Sequence, residues 1–327
     1  MKYLVALIIC CSQIFSDDLS DAFNELSQID QKLSLEPSLK STEDPDNNEL
    51  TQLQHVLQRL KLALLTYKPD EVIYQNYPSA HIHTTSTYKI KFVSIVDKEL
   101  GKRYFMIRGN SNFTNWTVSL DAELVTGFLG NVKIHRGFMK GALEVYESLE
   151  FQKAIKTKHL IDRSGNNKPL KNILIGHSMG GAVALLLAKK MQLEGHEIEE
   201  ILTFSQPMVT NSKGIKVMDA LPLLRVGIDR DIIVYLPTTE IGYIHSGRKL
   251  EIDSYGFRFF EDSSRDNVPW TSPDSRPPLI PNSEIPKNRK PYFGVDIISD
   301  NVSEFMAAHS LDVYAYQLIG HIKQLSK

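Results

Sequence analysis

Chemistry is most readily assigned to a stretch in which a serine stands between two glycines, Gly176-His-Ser-Met-Gly180. An apolar run at residues 173–175 precedes this stretch, and a run rich in alanine and leucine follows it. This order predicts a strand, a sharp turn and a helix, which together form a nucleophile elbow. The turn would expose the Ser178 hydroxyl at its tip. The amide of Met179, at the start of the helix, would then stabilise an oxyanion formed by attack on an ester carbonyl.

The glycines around Ser178 have a steric explanation. A side chain at Gly176, Gly180 or Gly181 would collide with the neighbouring strand or helix of the elbow. The alternative is a chance occurrence of the motif in a glycine-containing loop, but the flanking strand and helix patterns favour the elbow. Neighbouring residues at a tight turn point in different directions. We therefore interpret His177 as a packed residue that supports the elbow and not as the base.

Length, charge and cysteine content limit the class of protein. The 327 residues could form two domains, but no internal repeat or long central linker divides them, so one catalytic domain is the simpler interpretation. Basic residues (37) nearly balance acidic residues (39), and no basic stripe is interleaved with aromatics. Nucleic acid is therefore not expected as a partner. Cys10 and Cys11 are the only cysteines, and they cannot supply a zinc ligand set or a disulfide framework.

The N-terminal residues resemble an export signal. Lys2 precedes an apolar run that is too short to span a bilayer as a mature helix. We predict a signal-like segment over residues 1–16 and a secreted protein, or a lipoprotein anchored through Cys10 or Cys11. A buried N-terminal segment is the alternative. The acidic, serine-rich residues 17–49 predict a loosely ordered lead-in, and residues 50–327 predict the folded domain.

Hydrophobic periodicity predicts the elements that would position the elbow. A helix with one leucine-rich face would pack on a sheet, or else on a partner helix in a coiled coil; its leucines are Leu50, Leu53, Leu57, Leu60 and Leu64. Two β-rich runs, 88–96 and 103–108, have the pattern of a hairpin. Apolar strands at 198–204 and 223–228 follow the elbow helix. Alternation of strands and helices predicts an α/β fold with a largely parallel sheet and helices on both faces.

Several further segments support a family resemblance because they occur together and in a fixed order. They are Ile107–Asp121 with its Arg-Gly and Asn-Trp pairs, Ile134–Phe138, the elbow at 176–181, Phe204–Asn211, Asp231–Pro237 and Gly242–Gly247. Over roughly residues 85–250 the chain resembles the class 3 lipases, the fungal-lipase-like branch of the α/β-hydrolases. A joint match is far more specific than any single motif. The resemblance implies the α/β-hydrolase fold.

The resemblance also implies which residues would act with Ser178. Asp231 opens an Asp-x-x-x-x-Leu-Pro register after the strand at 223–228, so it is the expected acid. Asp229 is then interpreted as a solvated loop carboxylate. His309 lies in a segment that resembles the family's C-terminal histidine segment, before a helix that bears aromatic residues. We expect His309 to be the base in preference to His245, whose segment supports the sheet edge in the family.

One position of the expected oxyanion hole departs from the family. Asn110 stands where the family usually has serine or threonine. Its backbone amide can still serve as a donor together with the amide of Met179, so only the side-chain contribution is in question.

Two segments have open roles. Residues 111–130 carry Phe113, Trp116, Leu120 and Leu124 at helical spacing, which predicts a short amphipathic helix that covers Ser178 as a mobile lid. A helix fixed on the core is the alternative. The proline-rich residues 262–291 predict a long irregular excursion that either lines the cleft or lies at the surface.

The expected protein is thus an exported serine hydrolase that cleaves carboxylic esters of lipids through an acyl-enzyme, without metal or cofactor. We expect a monomer that meets its substrate at a lipid–water interface. An acyltransferase or thioesterase with the same triad is one alternative, and a catalytically silent lipase-like interaction module is another.

Overall fold

A computed structural model describes residues 48–109, 121–161, 165–228, 231–253, 256–262 and 308–326. The strands are β1 (His81–Thr84), β2 (Lys91–Asp97), β3 (Lys102–Ile107), β4 (Leu124–Thr126), β5 (Lys133–His135), β6 (His159–Ile161), β7 (Asn167–Pro169), β8 (Lys171–His177), β9 (Ile198–Phe204), β10 (Leu223–Ile228), β11 (Arg248–Ile252) and β12 (Phe257–Phe260). The helices are α1 (Glu49–Leu65), α2 (Asp70–Asn76), α3 (Arg136–Glu147), α4 (Leu149–Ile155), α5 (Met179–Leu193), α6 (Ser212–Met218) and α7 (Leu311–Leu325).

An eight-stranded sheet in the order β1-β2-β3-β8-β9-β10-β11-β12 forms the centre of the fold. Strands β3, β8, β9, β10 and β11 are parallel to one another, and antiparallel strands flank them at both edges. The predicted hairpin is present as β2 and β3, and the strands predicted after the elbow are β9 and β10. The α/β-hydrolase fold with a largely parallel sheet is therefore confirmed.

Side chains of the central strands alternate between two hydrophobic cores. In β3, Tyr104 and Met106 join one core with residues of α1 and α7, whereas Phe105 and Ile107 join the other with residues of α3, α4 and α5. Successive strand residues point to opposite faces, so a sheet buried on both sides needs apolar residues at consecutive positions. The helices on both faces meet this need.

Helix α1 is the predicted leucine-faced helix, and it packs inside the chain. Leu53, Leu57 and Leu60 are fully buried, and α1 contacts α7 as well as strands β3, β8 and β9. The Asn48 side chain accepts a hydrogen bond from the Leu50 amide at 3.0 Å and so caps the helix N-terminus. The leucine face is thus used by the sheet and by α7, which removes the basis for a coiled coil.

A partly buried ionic cluster joins α1 to the sheet. Glu200 of β9 contacts the His55 ring at 2.5 Å and the Arg59 guanidinium at 2.8 Å. Burial by itself would raise the pKa of Glu200, but the hydrogen bond from His55 and the charge of Arg59 lower the pKa to about 2. The carboxylate is therefore held in its charged form between helix and sheet.

The structure differs from the sequence prediction at two places. Leu124, predicted on a lid helix, lies in β4, which pairs antiparallel with β5. Val125 and Thr126 are β-branched and favour the extended backbone, and cross-strand pairing outweighs the helical spacing of the apolar residues. Helix α7 runs to Leu325, beyond the C-terminal helix predicted over residues 303–318, of which residues 303–307 lie outside the described ranges. Ser310 accepts from the Asp312 amide and caps the start of α7.

Several predictions concern residues outside the described ranges. They are the signal-like segment at 1–16, the lead-in at 17–47, Asn110, the lid residues 111–120, Asp229 and the proline-rich residues 263–291. No helix in the described part of the chain combines the length and the apolar character that a membrane crossing needs.

The Glu200 cluster predicts an acid-sensitive contribution to stability. Since the pKa of Glu200 is lowered from 4.5 to about 2 on folding, its contribution is present above pH 4.5 and is lost as the pH falls toward 2. Glu200→Gln should remove up to about 3 kcal/mol of the pH dependence of the unfolding free energy in this window. Urea unfolding between pH 2 and pH 7 measures this dependence. Glu147→Gln, at an exposed residue that ends α3, is the control that should keep the wild-type slope. A Glu200→Gln variant with the wild-type slope would contradict the prediction.

Candidate active site

Ser178 lies at a sharp turn between the central strand β8 and helix α5. Its φ is 57°, a left-handed value that non-glycine residues seldom adopt, and its amide donates to the Phe204 carbonyl at 2.8 Å. Strand β8 lies between β3 and β9, so the surrounding sheet holds the turn rigidly. The strained backbone is maintained by its neighbours, as is typical of functional sites.

The glycines of the turn allow backbone segments to approach each other closely. A Cβ at Gly176 would lie 2.3 Å from the Gly180 carbonyl oxygen, and a Cβ at Gly180 would lie 2.3 Å from the Ile107 carbonyl oxygen. Any side chain would therefore displace main chain and not merely a neighbouring side chain. These contacts explain why the elbow carries glycine at both positions.

His309 contacts Ser178 from the turn before α7. Its Nε2 lies 2.9 Å from the Ser178 Oγ, and its side chain is buried. Because α7 packs on α1 and its residues enter the core on the same face of the sheet, the position of His309 depends on the docking of both helices. The structure thus brings together two residues that are 131 positions apart in the sequence.

Asp231 lies behind His309 and is completely buried. Both of its carboxylate oxygens are 3.1 Å from the His309 Nδ1. The Ile233 amide donates to Oδ1 at 3.0 Å, and the Tyr314 hydroxyl donates to Oδ2 at 2.9 Å. Burial alone would raise the pKa of Asp231, but the charge of His309 and these hydrogen bonds hold the pKa below its ordinary value. The carboxylate is therefore ionised.

The three side chains have an arrangement that can activate a hydroxyl group. With Nδ1–H of His309 directed to the Asp231 carboxylate, Nε2 presents its lone pair to the Ser178 Oγ. The imidazole can take the hydroxyl proton as a general base, and the carboxylate can stabilise the imidazolium that results.

A second serine, Ser205, contacts the Asp231–His309 pair. Its hydroxyl donates a short hydrogen bond to Asp231 Oδ2, and its Oγ lies 2.5 Å from the His309 Nδ1. Ser205 is completely buried at the end of β9 and has a φ of 52°. Two residues of this site, Ser178 and Ser205, thus have a left-handed backbone without being glycine.

A hydrogen-bonded chain connects α1 with the elbow and with His309. The Gly109 amide donates to the Tyr67 hydroxyl at 3.0 Å, and this hydroxyl is 2.7 Å from the His177 Nδ1. The His177 Nε2 lies 3.0 Å from the His309 carbonyl oxygen. Burial and the charge of His309 lower the pKa of His177 to about 3, so the ring is neutral. Nε2–H therefore donates to the carbonyl and Nδ1 accepts from Tyr67. His177 packs and supports the site, as the sequence predicts.

The predicted oxyanion donors are only partly described. Met179 is the first residue of α5, and the first amides of a helix have no acceptor within the helix. Asn110 lies outside the described residues, but Gly109 directly before it is tied to Tyr67. The chain segment that leads to Asn110 is therefore anchored on the same network as His177.

The other histidine candidate, His245, lies apart from the Ser178 contacts. It is buried, and its Nε2 donates to the Val234 carbonyl at 2.5 Å. This contact joins the segment after β10 to the segment before β11. Among the described residues, no group of three His, Cys, Asp or Glu side chains is arranged to hold a metal ion.

Sequence reasoning missed three residues that contact the site. Tyr314 lies in the aromatic-bearing C-terminal segment, and Ser205 lies inside the matched segment Phe204–Asn211, so both had a local signal. Tyr67 had no local sequence signal. It follows the leucine-faced helix and contacts His177, which lies 110 positions away in the sequence. Only the packing of α1 on the sheet reveals this contact.

Comparison with known proteins finds similar sequences over the part of the chain that contains Ser178 and Asp231. Residues 104–241 match the family described as Lipase (class 3). The chain is 26% identical over 204 residues to a lipase of Rhizomucor miehei, covering 59% of this chain and 52% of the relative. It is 25% identical over 151 residues to the secreted mono- and diacylglycerol lipase 1 of Fusarium solani, covering 45% of this chain and 43% of the relative. Over residues 104–241 the chain therefore resembles the class 3 lipases. The matches span about half the length of these relatives.

Solved structures of lipases share the fold. Lipase II of Rhizopus niveus superposes with a TM-score of 0.56 at 20% identity and covers 69% of this chain and 92% of its own. The triacylglyceride lipase of Rhizomucor miehei gives a TM-score of 0.55 at 22% identity, and the match covers 71% of this chain and 93% of that lipase. At these identities the likeness shows the fold, and the roles of individual residues rest on the geometry described above.

The contrast between the two histidines yields a prediction. His309→Ala should slow the reaction of Ser178 with a fluorophosphonate by about 10⁴-fold, because its Nε2 is the group that can take the hydroxyl proton. His245→Ala should slow this reaction far less, since its ring contacts a backbone carbonyl away from Ser178. Labelling rates measured by gel or mass spectrometry give both values, with thermal melts to check folding. Reversed losses would show that the base is His245.

Proposed function

We propose that this protein is a serine hydrolase that cleaves carboxylic esters of lipids through an acyl-enzyme, with Ser178, His309 and Asp231 as its catalytic triad. The observation that carries the proposal is the 2.9 Å contact from His309 Nε2 to Ser178 Oγ, backed by a fully buried carboxylate on Nδ1. A merely structural role for these groups would not require an ionised carboxylate, an imidazole and a strained serine in one line.

The first half of the reaction forms the acyl-enzyme. Ser178 Oγ attacks the ester carbonyl while His309 Nε2 takes the hydroxyl proton, and Asp231 stabilises the imidazolium. The amides of Met179 and Asn110 would receive the oxyanion, each typically worth about 3 kcal/mol of transition-state stabilisation. Collapse of the tetrahedral intermediate breaks the ester bond, and His309 gives its proton to the leaving alcohol.

The second half regenerates the serine. Water takes the place of the alcohol, His309 removes one of its protons, and the hydroxide attacks the acyl carbonyl. Collapse then releases the carboxylic acid, and the proton returns to Ser178 Oγ. Neither a metal nor a cofactor enters this cycle.

The names of related proteins favour a lipid ester as substrate. One relative is named a mono- and diacylglycerol lipase, and a solved structure with a TM-score of 0.51 is described as a triacylglycerol lipase with a serine protease triad. Another, with a TM-score of 0.53, is described as a model for interfacial activation. These names support an acylglycerol substrate that is met at a lipid–water interface.

Export is part of the same proposal. The Fusarium solani relative is named a secreted lipase, and the apolar run near the first residues of this chain resembles a signal segment. Secretion with cleavage is proposed, whereas no comparison supports an anchor at Cys10 or Cys11.

Covalent labelling tests the reaction class. A fluorophosphonate should form a stoichiometric adduct with the wild-type protein, and Ser178→Ala should abolish both the adduct and the hydrolysis of p-nitrophenyl butyrate, because no other nucleophile replaces the elbow serine. Peptide mass spectrometry locates the adduct. Ser212→Ala, at the exposed start of α6, is the control and should remain labelled at Ser178. A wild-type protein that is neither labelled nor active would establish the silent interaction module.

The dependence on substrate aggregation tests the substrate class. The rate on tributyrin should rise abruptly when its concentration passes the solubility limit, because the lipid surface then presents many esters to the site. A short-chain ester that stays dissolved over the same range is the control and should saturate smoothly. Smooth saturation with both substrates would instead identify an esterase for dissolved esters.

A further inference from the structure

Ser205 has a combination of features that its place in the fold does not require. It directly follows β9 with a left-handed φ of 52°, and it is completely buried. Its amide donates to the Val226 carbonyl at 3.0 Å, a backbone bond that any residue except proline could make. Glycine would adopt this backbone without strain, so the retained side chain needs a separate explanation.

The Ser205 hydroxyl lies between the two charged partners of the site. Its proton has an acceptor in Asp231 Oδ2, and its oxygen lies 2.5 Å from the His309 Nδ1. The Asp231 oxygens are farther from the same Nδ1, at 3.1 Å. The Nδ1–H group is thus shared by the hydroxyl and the carboxylate, and the hydroxyl dipole has its negative end toward the ring.

From this geometry we infer that Ser205 is a positioning residue of the reaction, which accepts the Nδ1–H of His309, passes a hydrogen bond on to Asp231 and thereby stabilises the imidazolium. The inference rests on the proposed function. A hydrogen bond to Nδ1–H strengthens when the ring becomes cationic, so the hydroxyl stabilises the transition state more than the resting state. Its effect should appear in kcat and not in KM, because it acts on the base and does not contact the substrate.

Other groups around His309 are arranged differently. His177, from β8, is neutral and donates to the backbone carbonyl of His309, not to its ring. Tyr314, from α7, donates to Asp231 Oδ2 and accepts from the Ile228 amide at 3.2 Å. Among the described residues, the side-chain atoms hydrogen-bonded to the His309 Nδ1 belong to Asp231 and Ser205.

Two substitutions separate the hydroxyl from the backbone strain. Ser205→Ala keeps a Cβ at the left-handed position and removes the hydroxyl, whereas Ser205→Gly removes the hydroxyl and relaxes the backbone. Lys89→Gly is the matched control, because Lys89 has a similar φ of 55° in an exposed loop before β2. All variants are assayed as full chains for hydrolysis of p-nitrophenyl butyrate over a range of pH and for fluorophosphonate labelling.

Both Ser205 variants should lose about 10- to 100-fold in kcat with KM unchanged. The acidic limb of their pH profile for kcat/KM should move to lower pH, because the cationic ring has lost an acceptor. Lys89→Gly should behave as the wild type in rate and pH profile. Thermal melts verify that each variant is folded.

Three results would overturn the inference. The first is a wild-type kcat and pH profile in either Ser205 variant. The second is recovery of the wild-type rate in Ser205→Gly alone, which would assign the effect to backbone strain. The third is a loss of kcat without displacement of the acidic limb. The labelling of the wild type keeps the proposals distinct. If Ser178 of the wild type is labelled and the Ser205 variants are unaffected, only the role of Ser205 fails; if the wild type is not labelled, the proposed function fails and this inference with it.

Discussion

The structure depends on keeping one carboxylate, Asp231, charged in a place with no access to water. Removing an ionised carboxylate from water is very costly unless donors replace the lost hydration. Here the replacement comes from different parts of the chain: a backbone amide just after the acid, a tyrosine of α7, a serine at the end of β9 and the imidazole of His309. The carboxylate thus holds together the residue after β9, the segment after β10, helix α7 and the turn before α7.

Residues near the N-terminal end of the described chain also help to hold His309 in place. Helix α1 packs on α7 and on the sheet, and Tyr67 directly after α1 hydrogen-bonds to His177. His177 then holds the backbone of His309, while the Tyr67 hydroxyl accepts from the Gly109 amide. One hydroxyl group therefore fixes the relation between the segment that ends at Gly109 and the segment that carries His309.

Local sequence patterns predicted the parts of the fold that depend on local physics. The elbow, the β2–β3 hairpin and strands β9 and β10 follow from alternation, glycine spacing and apolar runs, and they are present. Leu124 was assigned to the wrong element because helical spacing among a few apolar residues carries less energy than strand pairing with β5. The contacts of Tyr67 and of the His55–Arg59–Glu200 cluster join residues far apart in sequence, and no local pattern contains that information. Family resemblance supplied Asp231 and His309, which periodicity alone could not have selected.

The packing of α7 against α1 also affects the order in which the parts of the chain fold. The strand and helix around Ser178 can form from neighbouring segments, but His309 is delivered by a helix that docks partly on the element at the other end of the described chain. Contacts between such distant segments close the largest loops and pay the greatest entropy, so they form late. During synthesis the serine therefore remains without the His309 ring until α7 has emerged and docked. A nascent chain of this kind holds a complete elbow whose serine hydroxyl still lacks the imidazole that can take its proton.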